Sequence, residues 1–227
     1  MTSTSTDSAK TRRPLFLGHR GTRIHSPENT FEAFDLAAEH CDGFEFDVRR
    51  TAEGVPVICH DEHFHKHKVA EHTFAQLNAV HPINTLEEVL VRYQFKCYLN
   101  IELKDPGLEA ETLELLKRCP PERGVFVSSF LPQVIEGLAA LRDTQNVPLG
   151  YICRNLKLLP TWKKLPLSHA VINHAIYSKQ LQSELQDANK KMFIWTVNDV
   201  SELKRFVELG VDGVISDDPK MRAKIEG

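Results

Sequence analysis

The sequence predicts an α/β protein in which eight parallel strands, mostly joined by helices, close into a (β/α)8 TIM barrel with one extra hairpin strand after strand two. Three observations carry that prediction. Short apolar runs alternate with helix-period stretches from Pro14 to the end of the chain, the signature of repeated βα units. The chain has 227 residues, a normal length for one such barrel. One pair of apolar runs, Phe44–Val48 and Val55–Cys59, is separated by Glu53-Gly54 with no room for a helix. That pair reads as a β-hairpin and not as a βαβ unit.

The elements follow in order. Leu15–His19 reads as a strand, and Glu28–His40 as a helix with Phe31, Phe34 and Ala38 at helical spacing. After the hairpin and a polar stretch come a helix at Thr85–Tyr93 and a strand at Tyr98–Leu103. The alternation continues with helix Leu108–Arg118, strand Val125–Ser128, helix Pro132–Leu141 and strand Leu149–Cys153. A poorly patterned crossover leads to strand Ala170–Asn173 and helix Ser178–Asn189. Strand Met192–Val197, helix Val200–Leu209 and strand Gly213–Ser216 complete the chain. Nine strand candidates become eight barrel strands once Val55–Cys59 is taken as the arm that folds back. A doubly wound open sheet is the alternative, because periodicity does not show closure. No repeat or second domain is visible: residues 14–227 form the domain, and the polar stretch MTSTSTDSAKTRR, residues 1–13, reads as a disordered tail.

Bulk properties narrow the function. Apolar residues at 41% can fill a large core, and charged residues at 26% suit an ordinary surface. A net charge of -3 gives no broad basic field for nucleic acid or an anionic membrane, though it leaves room for a local phosphate pocket. No run approaches the roughly 20 apolar residues of a membrane span, and the N-terminus lacks the apolar segment of a secretory signal. Five cysteines, Cys41, Cys59, Cys97, Cys119 and Cys153, are widely spaced with no CxxC pair. They argue against disulfides and a thiolate metal site, and for a reducing cytoplasm.

The chemistry-bearing residues fall at strand ends, where barrels of this kind place their sites. The first strand ends in Gly18-His19-Arg20-Gly21. The second carries Glu45 and Asp47, and the next barrel strand, LNIELK, carries Glu102 and Lys104. A spacing of two puts each pair on one face of its strand. Carboxylates in so apolar a run need positive compensation. Three carboxylates from adjacent strands suit a hard divalent cation, Mg²⁺ or Ca²⁺, with Mn²⁺ also admitted. A rim salt-bridge network with Arg20 and Lys104 is the plainer reading of the same residues. His60-Asp61 ends the returning arm, and pairing about residues 53–54 sets His60 opposite Asp47. His19 and His60 suit proton transfer near neutrality; Arg20 and Lys104 supply positive charge for an anionic substrate.

LGHRG, SPENTFEAF, EFDVRRTAEGVPVICHD, NTLEEVL, NIELK, SSF, WTVND and GVDGVISDDP, in this order from Pro14 to about Pro219, resemble the signature set of the glycerophosphodiester phosphodiesterase family. The resemblance implies a hydrolase of glycerol and lipid metabolism that cleaves glycerophosphodiesters to sn-glycerol 3-phosphate and an alcohol such as choline or ethanolamine. It implies one divalent metal ion on Glu45, Asp47 and Glu102, His19 and His60 as acid and base, and Arg20 and Lys104 on the phosphate. Trp195 matches an aromatic that lines the substrate pocket, although a large apolar residue closing a barrel layer would look the same. Glu28 and Asn29 either organise the rim near His19 or begin a helix.

The segment between Asp61 and Thr85 departs from the family, being short and rich in histidine. A solvated, mobile loop is expected there. His63, His65 and His67 would share one side of an extended chain, and a second metal site is conceivable. Three competing functions remain: a lysophospholipase D or phospholipase C relative on a lipid-derived substrate, a non-catalytic barrel that binds a phosphorylated ligand, and, least supported, a nuclease. No lipid anchor or basic amphipathic segment suggests a stable membrane association.

Overall fold

The computed structural model describes residues 13–141 and 147–226; the tail expected over residues 1–13 lies outside them apart from Arg13. Among the described residues, eleven strands occur: β1 Leu15–His19, β2 Gly43–Arg50, β3 Pro56–Ile58, β4 His63–Phe64, β5 His67–Lys68, β6 Tyr98–Leu103, β7 Val125–Ser129, β8 Leu149–Cys153, β9 His169–Asn173, β10 Lys191–Trp195 and β11 Gly213–Ser216. The helices are α1 Phe31–His40, α2 Phe74–Val80, α3 Leu86–Tyr93, α4 Glu109–Arg118, α5 Pro132–Leu141, α6 Lys179–Asp187, α7 Val200–Glu208 and α8 Ala223–Glu226.

Parallel pairing runs β2-β6-β7-β8-β9-β10-β11-β1, and β1 pairs again with β2. The barrel is therefore closed, and the open doubly wound alternative is excluded. β3 pairs antiparallel with β2 on the outside, as the hairpin reading requires. Strand alternation divides the apolar residues between two environments. Leu17, Phe126, Ile152, Val171, Phe193 and Ile215 fill the barrel. Their neighbours in sequence, such as Phe16, Val127, Ile172 and Val214, face the helices in a larger core. In that outer core Phe34 of α1 stacks on Phe44 at 4.4 Å, and Tyr93 of α3 meets Phe44 edge-on at 5.0 Å, a geometry that suits the ring quadrupoles.

Three expectations require correction. The helix expected from Glu28 starts at Phe31, because Thr30 is its N-cap and accepts from the Ala33 amide; Asn29 instead lies at φ 59°. In the hairpin, Val48 pairs with Ile58 and Arg49 with Val57, so Cys59 and not His60 falls opposite Asp47, and the Cys59 amide donates to the Asp47 carbonyl. The cause is the buried Thr51, whose Oγ accepts from the Val55 amide at 2.9 Å. The Thr51 amide donates in turn to the Val55 carbonyl, which centres the turn on Glu53.

The third correction concerns the segment after Asp61, which is folded. β4 and β5 form a tight hairpin with His65 and Lys66 at φ 45° and 73°. α2 begins with a capping box of Thr73 and Gln76, and Val69, Leu77 and Ile83 pack with Val57 and Cys59 in a separate cluster. His63, His65 and His67 do not share an extended face. His65 occupies the turn and stacks on His81 at 4.8 Å, and His67 Nδ1 lies 3.4 Å from His72 Nε2.

One interior residue ties the fold to pH. His169 is 2% exposed, stacked on Phe126 at 4.5 Å inside the barrel, and its Nε2 has no hydrogen-bond partner. Burial, assisted by Lys191, pushes its pKa down to about 3. The unfolded chain takes up this proton near pH 6.5 while the folded protein stays neutral. Stability present above about pH 6.5 is therefore lost as pH falls towards about 3, at up to about 1.4 kcal/mol per pH unit. Chemical denaturation across that window should show a shallower acid limb for His169→Phe than for the wild type. Equal slopes would mean that His169 is not held neutral.

Candidate active site

The site is assembled by strand register at the C-terminal rim of the barrel. Asp47 pairs with Glu102 and Glu45 with Asn100 across β2 and β6, while His19 pairs with Glu45 across β1 and β2. The spacing of two within each strand points all three carboxylates into the barrel. Glu45, Asp47 and Glu102 are 3%, 1% and 6% exposed, and each offers an oxygen within 4.8 Å of the others.

Two cations thread this cluster. Arg20 Nε lies 3.1 Å from Asp47 Oδ2, and Lys104 Nζ lies 2.9 Å from Asp47 Oδ1 and close against Glu102. Asn29 Nδ2 donates to Asp47 Oδ2 at 2.9 Å, and Glu28 pairs with Arg20 at 2.6 Å. The Pro-Glu-Asn segment thus organises the rim, and the helix-start reading of Glu28 and Asn29 fails. The turn after β1 makes this possible. Arg20 and Gly21 sit at φ 52° and 77°, which turns the Arg20 amide onto Glu45 Oε2 at 3.0 Å. A Cβ at position 21 would come within 2.6 Å of the α1 backbone at Ala33, so only glycine fits there.

Three ionised carboxylates against two cations would leave one negative charge uncompensated, and the site resists that charge. Burial, then Asp47 and Glu102, push the Glu45 carboxyl well above its ordinary range, and burial with Asp47 takes Glu102 up to about 7. Burial also opposes the charge of Asp47, but Lys104 and Arg20 outweigh it and hold that carboxyl low. Glu45 Oε1 is buried with no hydrogen-bond partner. The salt-bridge network therefore exists but leaves a Glu45 oxygen without a partner and opposes full ionisation of the three carboxyls. An all-oxygen donor set of this size fits a hard divalent cation. Among the described residues this is the one group of three that meets the geometry; the histidine-rich segment adds none.

His19 and His60 flank the cluster, each with a carboxylate on Nδ1: Asp217 at 2.6 Å for His19 and Asp61 at 2.7 Å for His60. An ionised carboxylate only accepts, so Nδ1 carries the proton in both rings and Nε2 is left for chemistry. His19 Nε2 faces Glu45 at 3.8 Å. Burial, with Lys104 adding to it, lowers the pKa of His60 against the pull of Asp47. Both histidines, Arg20, Lys104 and Trp195 line one cavity of about 440 Å³ with Glu45 and Glu102, and Phe130, Leu131 and Leu158 give it an apolar wall.

Sequence reasoning missed Asp217 and Asn198, which complete the His19 side. Asn198 Nδ2 donates to Asp217 Oδ2 at 2.6 Å, and the Asp217 amide donates back to Asn198 Oδ1 at 2.9 Å. It also missed Arg154 on the cavity wall.

A closed (β/α)8 barrel with an oxygen-donor carboxylate cluster, two carboxylate-bound histidines and two cations at one rim defines an enzyme of the phosphodiesterase barrel class. The chain belongs to the glycerophosphoryl diester phosphodiesterase family, whose model matches residues 19–221. It is 30% identical over 235 residues to a glycerophosphodiester phosphodiesterase of Caldanaerobacter subterraneus subsp. tengcongensis, covering 92% of this chain and 96% of that one. It is 31% identical to one of Bacillus altitudinis, covering 91% and 96%. Among solved structures, the Thermotoga maritima glycerophosphodiester phosphodiesterase superposes with a TM-score of 0.81 at 25% identity, covering 94% of this chain and 99% of that one. An Oleispira antarctica phosphodiesterase in complex with the product sn-glycerol-3-phosphate gives 0.79 at 26%, covering 95% and 98%. No described helix is long and apolar enough to cross a membrane.

Proposed function

We propose that this enzyme hydrolyses glycerophosphodiesters to sn-glycerol 3-phosphate and an alcohol, with one divalent cation held by Glu45, Asp47 and Glu102. The observation that carries the reading is the buried three-carboxylate cluster, with its unsatisfied Glu45 oxygen, two members of which line one cavity with His19 and His60. The product bound to the Oleispira relative supports the same product here. Mg²⁺, Ca²⁺ and Mn²⁺ all accept such ligands. When bound, the ion supplies Lewis-acid polarisation of the phosphate and lowers the pKa of the attacking hydroxyl.

The chain's own residues do the rest. Arg20 and Lys104 neutralise charge that develops on the phosphoryl oxygens, and they act strongly because the site is largely shielded from water. One of His19 and His60 takes the nucleophile's proton through Nε2, and the other delivers a proton to the departing alcohol. Trp195 forms part of the wall beside the phosphate.

Release of glycerol 3-phosphate from glycerophosphoglycerol and glycerophosphocholine, measured after EDTA treatment and again with each metal restored, tests the reading. Activity should fall by about 10²-fold or more in EDTA and return with at least one of the three ions. Full activity in EDTA would remove the metal from the mechanism, and no release with any ion would remove the hydrolysis.

A further inference from the structure

The part of the cavity lined by the residues that follow β6, β7 and β8 has a charge pattern that bears on the leaving alcohol. Lys104, Phe130 and Arg154 directly follow three successive barrel strands, β6, β7 and β8. They form a row in which Phe130 carries both cations: Lys104 Nζ lies 5.6 Å and Arg154 Cζ 5.8 Å from its ring centroid. Lys104 is committed to Asp47 and Glu102. Arg154 has, among the described residues, no carboxylate within ion-pair distance, and its guanidinium lines the cavity from an exposed position.

The carboxylates that line the cavity, Glu45 and Glu102, both belong to the metal cluster. The wall made by Phe130, Leu131, Leu158 and Trp195 has no acidic group, and Arg154 lines the same cavity beside Phe130. Trp195 packs edge-on to Phe130 at 5.5 Å, and its indole N–H has no acceptor in the protein. Aromatic residues recognise a quaternary ammonium when their faces are free of other cations. Phe130 already serves two, so a choline or ethanolamine group entering here meets like charge. An anionic group meets an unpaired guanidinium able to donate two parallel hydrogen bonds.

We propose that Arg154 is a specificity-determining residue that selects glycerophosphodiesters whose leaving alcohol carries a phosphate-type anion over those whose alcohol is cationic. The inference rests on the hydrolytic reading above. The P–O bond to the alcohol breaks and the alcohol oxygen takes up a proton as before; Arg154 holds the far end of that alcohol and takes no part in the bond change.

Three water-soluble diesters test it: deacylated diphosphatidylglycerol, whose leaving alcohol bears a second phosphodiester anion; glycerophosphoglycerol, the same alcohol without it; and glycerophosphocholine. Initial kcat/KM values are compared at low salt with the activating metal, the first halved for its two equivalent ends. The anionic alcohol should exceed the neutral one by about tenfold, equivalent to about 1.4 kcal/mol, with the cationic one lowest. Added salt should shrink the step, since Arg154 is exposed. Arg154→Gln should collapse the anionic-to-neutral ratio to within about threefold, and Arg154→Glu should invert the order of the anionic and cationic substrates. Wild-type preference for glycerophosphocholine, or an unchanged ratio in Arg154→Gln, would overturn the assignment while leaving the hydrolytic reading intact. No release from any of the three overturns that reading and the selectivity with it.

Discussion

Glu45→Gln should abolish turnover yet raise the melting temperature of the metal-free protein. The substitution keeps an acceptor for the Arg20 amide, which Glu45 Oε2 now receives at 3.0 Å, and removes one of three buried carboxylates. With two left against Arg20 and Lys104, the excess of carboxylates over cations disappears. Burial and repulsion by Asp47 and Glu102 are what push the Glu45 carboxyl up, so removing its charge relieves the site. A gain of about 1–2 kcal/mol, or about 2–8 °C in Tm for a chain of this size, is expected in EDTA. The functional side runs the other way, because the proposed cation site loses a ligand and kcat/KM should fall by about 10³-fold. In the wild type, metal at about a hundredfold over its Kd should add about 2.7 kcal/mol, raising Tm by about 5–10 °C; the variant should lose most of that rise. A Glu45→Gln protein with a wild-type metal response, or with near-normal turnover, would remove Glu45 from the ligand set. The expected exchange of stability for function is characteristic of a site whose charges are arranged for a ligand and not for the fold.

What the sequence made legible, and what it hid, follow one physical division. Local pattern carries the strands, the helices and the facing of Glu45, Asp47 and Glu102, because a spacing of two in an apolar strand fixes the face whatever the strand pairs with. Closure and register are non-local. Asp217 sits in a Ser-Asp-Asp-Pro stretch that reads as an ordinary turn. It becomes the partner of His19 only because β11 closes on β1 with Ser216 beside Gly18, which no local window contains. The hairpin register slipped by one residue for a similar reason: a Thr51 side chain, not the Glu53-Gly54 pair, sets the centre of the turn. Between Asp61 and Thr85 the histidines masked the structure. Val69, Leu77 and Ile83 are too far apart to show a period, and they become a core only against Val57 and Cys59 of the returning arm.

Asp217→Asn should lower kcat by about 10²–10⁴-fold with KM within about threefold, in line with loss of the carboxylate that orients a catalytic histidine. Asp217 does not line the cavity, so substrate binding has little to lose. Its Oδ1 accepts from His19 Nδ1 at 2.6 Å, Oδ2 accepts from Asn198 at 2.6 Å, and its carbonyl accepts from the Thr22 hydroxyl at 2.9 Å. Burial disfavours its charge, but His19, Asn198 and Arg23 more than offset this and keep the carboxyl ionised. Held on every side, the carboxylate admits only the His19 tautomer with the proton on Nδ1 and leaves Nε2 free towards Glu45. An asparagine in its place can turn its NH₂ to Nδ1, which moves the ring proton to Nε2 and takes the free Nε2 lone pair from the side where the proposed chemistry occurs. Asn198→Ala loosens the clamp without reversing the tautomer and should cost about tenfold in kcat. Both variants should keep the metal-induced rise in Tm, since neither residue belongs to the carboxylate cluster, and that separates a fault in proton transfer from a damaged metal site. If Asp217→Asn turns over within about threefold of the wild type, His19 does not act through Nε2, and the proton traffic must be reassigned to His60.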